Sequence, residues 1–334
     1  MTIERRDPVS HDVEIEILHC GICHSDLHKV NDDWGSTHFP VVPGHEIVGR
    51  VVSRGASASR FREDDLVGVG CIVDSCRACP ECRAGHEMFC TRGVTFSFDS
   101  LERDGKTWTH GGYSTSIVVD ERYVLRVPKG LDPASAAPLM CAGITTYSPL
   151  RRFGCKPGDQ VGIVGLGGLG HMAVKLAASM GAEATVLSTS REKEKDATRL
   201  GAKRFVVTIE TGALDALAGR FDLILDTVSS PHDLNQELAL LRNLGTLVLV
   251  GLPSAPIPVS VGGLIFGNKC IAGSNIGGIP ETQEMLDYCG KHGVVADVEV
   301  IPANQINDAY ARMQRGDVRY RFVIDAATLR AGAT

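Results

Sequence analysis

Apolar runs of strand length alternate with helix-like segments between residues 161 and 251. The first run leads into "GLGGLGHMAVKLA", where Met172, Val174, Leu176 and Ala177 recur with helical spacing. Later strand-like runs cover 183–188, 203–207, 221–228 and 245–251, and helical patterns cover 191–200 and 231–242. This alternation predicts an α/β domain with a doubly wound parallel sheet.

The break after the first apolar run has the glycine spacing of a dinucleotide-binding turn. Glycines in this pattern permit a tight turn and let the backbone approach a pyrophosphate at a helix N-terminus. A flexible glycine loop without a ligand is the alternative. The residues expected to contact the dinucleotide here are Gly165, Gly167, Gly168, Leu169 and Gly170, with Val250 and Gly251 at the end of the last run.

The segment after the run 183–188 indicates which dinucleotide binds. NAD sites usually carry an acidic residue at this strand end, whereas a 2′-phosphate favours cations. Here hydroxyl and basic side chains replace the acid, which predicts NADP(H). Alternatively, the two cations only solvate the start of a helix. The residues concerned are Ser188, Thr189, Ser190, Arg191 and Lys193.

Length and charge narrow the class of protein. A chain of 334 residues suggests two domains. The net charge of −6 gives no basic footprint for nucleic acid. No apolar stretch reaches the length of a membrane span, and the N-terminus lacks the apolar core of a secretory signal. We therefore expect a cytoplasmic protein with no nucleic-acid or membrane partner.

Four of the eleven cysteines lie close together in "DSCRACPECRAGHEMFC". Their spacing lets four sulfurs converge on one tetrahedral zinc ion with no position open to substrate, which predicts a structural site. Two disulfides in a secreted protein and a nucleic-acid-binding zinc ribbon are the alternatives. The four residues are Cys76, Cys79, Cys82 and Cys90.

Further Cys and His residues are scattered over "CGICHSDLH", "PGHEIVG" and "LMCAGITTY". A catalytic zinc site needs three protein ligands of this type and a fourth position for water or substrate. Taken singly, His45 could equally be a structural histidine, and Cys141 could be a small core residue. No local pattern unites these segments.

Together these motifs resemble the zinc-dependent medium-chain alcohol dehydrogenases, in particular the cinnamyl alcohol dehydrogenase and NADP-dependent aldehyde reductase branch. The resemblance also includes "HGGYS" and "GSNIGGIPETQEML" and covers nearly the whole chain. It implies a mainly-β, GroES-like catalytic domain interrupted by a Rossmann domain. The expected ranges are 1–142 and 279–334 for the catalytic domain, 143–278 for the Rossmann domain and 71–95 for the zinc lobe.

The resemblance implies a catalytic zinc ion held by Cys23, rather than Cys20, with His45 and Cys141. Glu46 matches a nearby carboxylate that can replace the zinc-bound water. Asp26 matches the residue that orients the ligand histidine through its second ring nitrogen. With the four-cysteine lobe, two Zn²⁺ ions per chain are expected.

The resemblance also assigns Ser25 and His28 to a relay that passes a proton between the reacting oxygen and solvent. Without Ser25 nearby, His28 could equally be a surface histidine. Thr145 is expected beside the nicotinamide. For the two aromatic pocket residues, core packing is an equal alternative. The expected substrate pocket consists of Trp34, Phe96, Leu252, Asn275 and Ile276.

The activity implied is reversible hydride transfer between NADPH and aromatic or medium-chain aldehydes or primary alcohols. A polyol or secondary-alcohol dehydrogenase is one alternative, and a nucleotide-binding protein without catalysis is another. A homodimer joined through edge strands near 261–274 is expected. Because "CGICHSD" stands unusually early for the family, a first hairpin is expected to be missing. The other cysteines are expected to be buried: Cys20, Cys71, Cys155, Cys270 and Cys289.

Overall fold

The computed structural model describes residues 2–253 and 255–331. Its strands are β1 (Asp12–Gly21), β2 (Ile47–Arg54), β3 (Leu66–Val69), β4 (Ile72–Asp74), β5 (Thr95–Phe96), β6 (Ser116–Asp120), β7 (Leu125–Arg126), β8 (Gln160–Val164), β9 (Glu183–Ser188), β10 (Arg204–Val207), β11 (Phe221–Asp226), β12 (Leu241–Leu249), β13 (Cys270–Gly273), β14 (Val298–Pro302) and β15 (Arg321–Asp325).

The α-helices are α1 (His24–Val30), α2 (Pro80–Arg83), α3 (Pro133–Ala136), α4 (Ala142–Arg152), α5 (Gly168–Ser179), α6 (Glu194–Leu200), α7 (Leu234–Leu240), α8 (Val261–Ile265), α9 (Ile279–His292), α10 (Ile306–Gln314) and α11 (Ala327–Ala331). Six short 3-10 turns lie between them. Along the described part of the chain, no helix combines the length and apolar character needed to cross a membrane.

The chain divides into two compact units. Unit 1 consists of Met1–Ile144 and Gly277–Thr334, and unit 2 consists of Thr145–Ile276. A continuous central segment is therefore inserted into a unit that both ends of the chain build.

Unit 2 contains one parallel sheet of six strands in the order β10-β9-β8-β11-β12-β13. In chain order this is the 3-2-1-4-5-6 arrangement of a Rossmann fold, so the predicted fold class is confirmed. The helical spacing in α5 reflects packing, because Met172, Val174, Leu176 and Ala177 are all fully buried. Helix α6 ends at Gly201, whose φ of 110° suits glycine at a helix C-terminus.

Unit 1 contains a mixed, mainly antiparallel sheet of seven strands. Its central strand β1 pairs with β2, β6 and β15. Alternation along β1 explains its position, because Val13, Ile15 and Ile17 are buried while Glu14 and Glu16 are partly exposed. The chain leaves β1 at Gly21, immediately before the first group of candidate metal ligands.

Two expectations about local structure hold only in part. Residues 270–273 form the edge strand β13, but residues 261–265 form helix α8, where the consecutive glycines Gly262 and Gly263 disfavour a strand. Of the cysteines expected in the core, Cys20 and Cys289 are buried, Cys71 and Cys155 are half-buried, and Cys270 is exposed. Cys270 is exposed because it begins the outermost strand, which has a neighbour on one side only.

Candidate active site and metal centres

Cys23 stands at the N-terminus of α1, directly after β1. Its backbone N–H donates to Asp26 Oδ2 at 2.8 Å, so a carboxylate three residues further on caps the helix. The Cys23 sulfur and the Ser25 hydroxyl are 3.8 Å apart. The helix start therefore fixes the position of the sulfur.

Asp26 also holds the loop that carries His45. Its second oxygen, Oδ1, accepts from the Gly44 backbone N–H at 3.0 Å and lies 3.1 Å from His45 Nδ1. Because the Asp26 carboxylate accepts a hydrogen bond from Nδ1–H, Nε2 is the ring nitrogen available to a metal. Burial opposes protonation of His45, but the adjacent Asp26 charge raises its pKa well above the usual value.

Cys23, His45, Glu46 and Cys141 form one buried group, here called the Cys23 cluster. One ligand-type atom of each lies within 4.8 Å of the others. A hydrogen bond from the Cys141 thiol, aided by the charges of Arg321 and His45, holds the pKa of Cys23 well below its usual value despite burial. The sequence alone did not bring these segments together; the structure does.

Glu46 is fully buried beside the two thiols, and Arg321 is its counter-ion. Arg321 Nη2 lies 3.3 Å from Glu46 Oε1, and neither carboxylate oxygen has a hydrogen-bond partner. Burial raises the pKa of Glu46 to about 8, although Arg321 opposes the shift. Gly21 makes room for this carboxylate, since a Cβ at Gly21 would lie 1.9 Å from Glu46 Oε2.

Arg321 and Cys71 contact members of the Cys23 cluster, and the sequence analysis did not identify either of them. Cys71 shares a hydrogen bond with the Cys141 thiol, and this interaction lowers its pKa. Phe98, which is buried, stacks on the His45 ring with 5.8 Å between centroids. Local spacing carries no signal for these residues, because they lie in separate segments.

The two residues predicted to relay protons, Ser25 and His28, both lie on α1 and are partly exposed. They are three positions apart and so share one face of the helix. His28 Nδ1 lies 2.7 Å from Asp33 Oδ2, a partner not foreseen from the sequence. The His28 ring also lies 5.3 Å from the Trp34 ring.

The four-cysteine lobe surrounds α2. Its sulfurs lie within 4.8 Å of one another, with Cys79 and Cys82 sulfurs 3.4 Å apart and Cys76 and Cys82 sulfurs 3.9 Å apart. Four sulfurs bound to one zinc ion would be about 3.8 Å apart, whereas a disulfide brings two sulfurs to about 2 Å. All four thiols are free, so the disulfide alternative does not hold.

Backbone donors in the lobe already stabilise thiolates. The N–H of Cys82 donates to Cys79 Sγ at 3.5 Å, and this bond is the main reason that the pKa of Cys79 falls to about 5. The N–H of Cys76 donates to Cys90 Sγ at 3.3 Å. Because zinc binds thiolates, these donors fit a zinc ion. The Cys23 cluster fits one as well, through two sulfurs and the His45 imidazole.

The glycine turn between β8 and α5 has three distinct geometries. Gly165 has a φ of 85°, which favours glycine. A Cβ at Gly170 would lie 2.1 Å from the Gly165 carbonyl oxygen, so this glycine permits close packing of helix and strand. A Cβ at Gly167 would meet nothing within 4 Å, which leaves the helix N-terminus open to a ligand. Gly168 and Leu169 are partly exposed in the first turn of α5.

The end of β9 carries the residues predicted to select NADP(H). Ser188 is buried, and its hydroxyl accepts from the Ser190 backbone N–H at 3.2 Å. Thr189 is exposed. Arg191 forms an ion pair with Glu210, and Lys193 Nζ donates to the Leu166 carbonyl at 3.0 Å. No acidic side chain occupies the strand tip itself.

The remaining predicted contacts differ in exposure. Thr145 is buried in α4, and Val250 and Gly251 follow β12, where both N–H groups point to the Asp226 carbonyl. Trp34 and Phe96 are each nearly half exposed, which argues against core packing. Of the pocket residues in unit 2, Leu252 and Asn275 are exposed and Ile276 is partly exposed.

A Rossmann sheet with an open glycine turn, joined in one chain to a buried Cys-His-Cys group, defines a metal-dependent dehydrogenase. Comparison with known proteins agrees. Residues 9–129 match the alcohol dehydrogenase GroES-like domain, and residues 168–291 match the zinc-binding dehydrogenase family. The chain belongs to the zinc-binding alcohol dehydrogenase family and is an oxidoreductase that acts on CH–OH donors.

Individual relatives are similar over almost their whole length. NADP-dependent alcohol dehydrogenase C 1 of Mycolicibacterium smegmatis is 53% identical, covering 99% of this chain and 95% of the relative. Aldehyde reductase YahK of Escherichia coli is 53% identical over 98% and 95%. Mannitol dehydrogenase of Petroselinum crispum is 50% identical over 97% and 96%. A cinnamyl alcohol dehydrogenase structure from Sorghum bicolor superposes with a TM-score of 0.95 at 44% identity, covering 97% of this chain and 93% of that one.

Proposed function

We propose that the chain reduces aldehydes and oxidises the corresponding alcohols with NADP(H). In reduction, hydride passes from the nicotinamide to the carbonyl carbon and a proton from solvent reaches the oxygen, which gives alcohol and NADP⁺. The observation that carries this proposal is the Cys23 cluster, in which two sulfurs and a ring nitrogen of His45 lie within 4.8 Å of one another while Asp26 holds His45 Nδ1. The printed names of the two 53% identical relatives support NADP(H) and this pair of substrates.

Cys23, His45 and Cys141 are proposed to hold a catalytic zinc ion, and the four-cysteine lobe a structural one. When bound, the catalytic ion supplies a Lewis acid that stabilises negative charge on the substrate oxygen. Two thiolates keep the formal charge of the site low, and Asp26 holds the imidazole in the required orientation. Glu46, balanced by Arg321, adds a carboxylate beside the ligands.

Proton movement is proposed to use Ser25 and His28. A hydroxyl both donates and accepts, so Ser25, which lies 3.8 Å from the Cys23 sulfur, can exchange a proton with the substrate oxygen. His28 is partly open to water and is held by Asp33 at 2.7 Å. An imidazole in this position passes the proton to solvent.

Aromatic and medium-chain substrates are proposed because exposed apolar side chains, Trp34 and Phe96, stand in unit 1 where the resemblance places the pocket. An apolar wall distinguishes substrates weakly, by about 1–3 kcal/mol per methylene, so a broad range is expected. The 50% identity to a mannitol dehydrogenase keeps polyol oxidation as a second candidate. Rates with benzaldehyde, hexanal and mannitol, measured by NADPH absorbance, separate the two.

The metal assignment is tested by Cys23→Ala with Cys20→Ala as the matched control. Both replace a buried thiol in the same stretch of unit 1, but Cys20 does not belong to the Cys23 cluster. We expect Cys23→Ala to lose turnover and one zinc per chain, and Cys20→Ala to keep both. An active Cys23→Ala enzyme with unchanged zinc content would contradict the assignment. Normal zinc without any turnover in the wild type would instead favour a nucleotide-binding protein.

A homodimer joined through unit 2 is also proposed. Strand β13 leaves one edge of its sheet unpaired, and the preceding segment exposes Val261, Ile265 and Phe266. Light scattering on Phe266→Lys should show monomers where the wild type gives dimers; wild-type monomers would refute the proposed homodimer.

A cytoplasmic location is proposed because all eleven cysteines are free of disulfides, which suits a reducing compartment. Cell fractionation tests this location.

A further inference from the structure

A third group of potential metal-ligand side chains lies in unit 2 and contains no cysteine. Asp226 ends β11, Glu237 lies in the following helix α7, and His232 comes from the loop between them. One ligand-type atom of each lies within 4.8 Å of the others. Asp226 and Glu237 are more than nine-tenths buried, while 21% of the His232 side chain is exposed. The group, here called the Asp226 triad, is therefore reachable from solvent through His232.

The histidine of the triad is oriented as a metal ligand would be. His232 Nδ1 lies 2.8 Å from the Ser230 carbonyl oxygen. A carbonyl oxygen only accepts, so Nδ1 carries a hydrogen and the neutral ring has its lone pair on Nε2. That atom faces both carboxylates, with Asp226 Oδ2 and Glu237 Oε1 each at 3.1 Å. A backbone carbonyl on the other ring nitrogen is the usual way to orient a metal-binding histidine.

Two atoms of the triad have no hydrogen-bond partner. Glu237 Oε2 and His232 Nε2 are buried atoms with no hydrogen bond. Asp226 has a backbone donor, the Val228 N–H, at 2.9 Å from Oδ1. Two buried carboxylates that face a nitrogen lone pair are stabilised by a cation placed among them.

We propose that Asp226, His232 and Glu237 bind a divalent cation of the zinc class at the carboxyl end of β11. Nitrogen and oxygen ligands bind such ions at about 2.0–2.2 Å, which puts neighbouring ligand atoms about 2.8–3.6 Å apart over octahedral and tetrahedral geometry. The two separations of 3.1 Å lie in this range. One imidazole with two carboxylates suits zinc, cobalt or manganese, whereas the sulfur-containing groups in unit 1 favour zinc.

The alternative is a protonated His232 that bridges the two carboxylates without a metal. Metal stoichiometry of the full-length protein separates the two. The wild type, Glu237→Gln and His232→Gln are dialysed against buffered free Zn²⁺, and bound zinc is counted by mass spectrometry. Asp233→Asn is the control, because Asp233 is an acid beside His232 that caps α7 and is not in the triad. Asparagine keeps the capping acceptor.

We expect the wild type and Asp233→Asn to bind about one equivalent of zinc more than Glu237→Gln and His232→Gln, because each substitution removes one of three ligands. Equal zinc content in all four proteins would overturn the proposal. Circular dichroism after chelation checks that the variants fold. Whether or not they fold, Co²⁺ titration decides, on wild type treated with chelator until only the zinc held by the cysteine sites remains: the added ion must bind and show only weak d–d absorption. Absence of binding, or a strong thiolate-to-cobalt band, overturns it. Neither readout depends on dehydrogenase activity.

Discussion

Replacing Asp26 by Asn tests whether one carboxylate supports both a helix start and the histidine of the Cys23 cluster. Asp26 is fully buried and accepts from the Cys23 N–H on Oδ2, and from the Gly44 N–H and His45 Nδ1 on Oδ1. The amide of Asn has one oxygen and one NH₂ group. In either orientation, therefore, at least one buried donor faces another donor.

The mismatch of donors should lower the stability of Asp26→Asn. A hydrogen bond to a charged group contributes about 1.5–3 kcal/mol, and a buried donor left without an acceptor costs about 1–3 kcal/mol. Because these figures overlap in part, we expect the free energy of unfolding to fall by about 2–4 kcal/mol. If the amide turns its NH₂ group toward His45, the ring loses its orienting acceptor, and zinc affinity or kcat/KM should fall about 10- to 100-fold.

Three measurements separate the structural from the metal effect: urea unfolding of the chelated protein, zinc affinity by chelator competition, and kcat/KM. Asp12→Asn is the matched control. Asp12 is equally buried in unit 1, accepts from the Val9 N–H at 2.7 Å and pairs with Arg6, but contacts no member of the Cys23 cluster. The Asp12→Asn variant should be less stable than the wild type but should keep its zinc affinity. Unchanged zinc affinity and kcat/KM in Asp26→Asn would refute the reasoning, as would an equal loss of zinc in Asp12→Asn.

Three further substitutions give distinct readouts. Cys79→Ala should release the lobe zinc and lower Tm while the Cys23 cluster keeps its ion; metal analysis showing two zincs would count against the lobe site. Ser188→Asp should shift the NADPH-to-NADH ratio of kcat/KM toward NADH by about 10- to 100-fold, the equivalent of one charged hydrogen bond; an unchanged ratio would be inconsistent with its predicted place at the ribose. Gly44→Ala should lower Tm strongly, because φ is 113° and the added Cβ would lie 2.6 Å from the Gly112 nitrogen; a wild-type Tm would disprove that strain.

The Rossmann unit could be predicted from the sequence because the patterns that indicate it are local. A glycine turn between an apolar run and a helical pattern is contained in about twenty residues, and each following strand is a short apolar run. The antiparallel sheet of unit 1 depended on the resemblance instead. Its strands β1 and β15 come from opposite ends of the chain, and no periodicity reveals such a pairing.

Side chains whose partners are remote in sequence were the ones missed. Arg321 begins β15 and meets Glu46 at the end of the loop before β2, so the counter-ion of the site could not be inferred from either segment. The burial of Cys71, Cys155 and Cys270 was misjudged for a related reason. Burial of a small residue depends on which strand is outermost and on what packs beside it, and neither follows from hydrophobicity alone.

The four-cysteine lobe could be predicted from local sequence, whereas the Cys23 cluster could not, and a physical difference between the two sites explains why. In the lobe, short spacing brings the sulfurs together and the N–H groups of the same segment donate to them, as between Cys82 and Cys79. The lobe has little core of its own, so metal binding should supply much of its folding free energy. In the Cys23 cluster, Asp26 joins the start of α1 to the loop at Gly44, so the ligands meet only once the β-sheet of unit 1 has formed. Chelation should therefore unfold the lobe before it disturbs the sheet that carries Cys23.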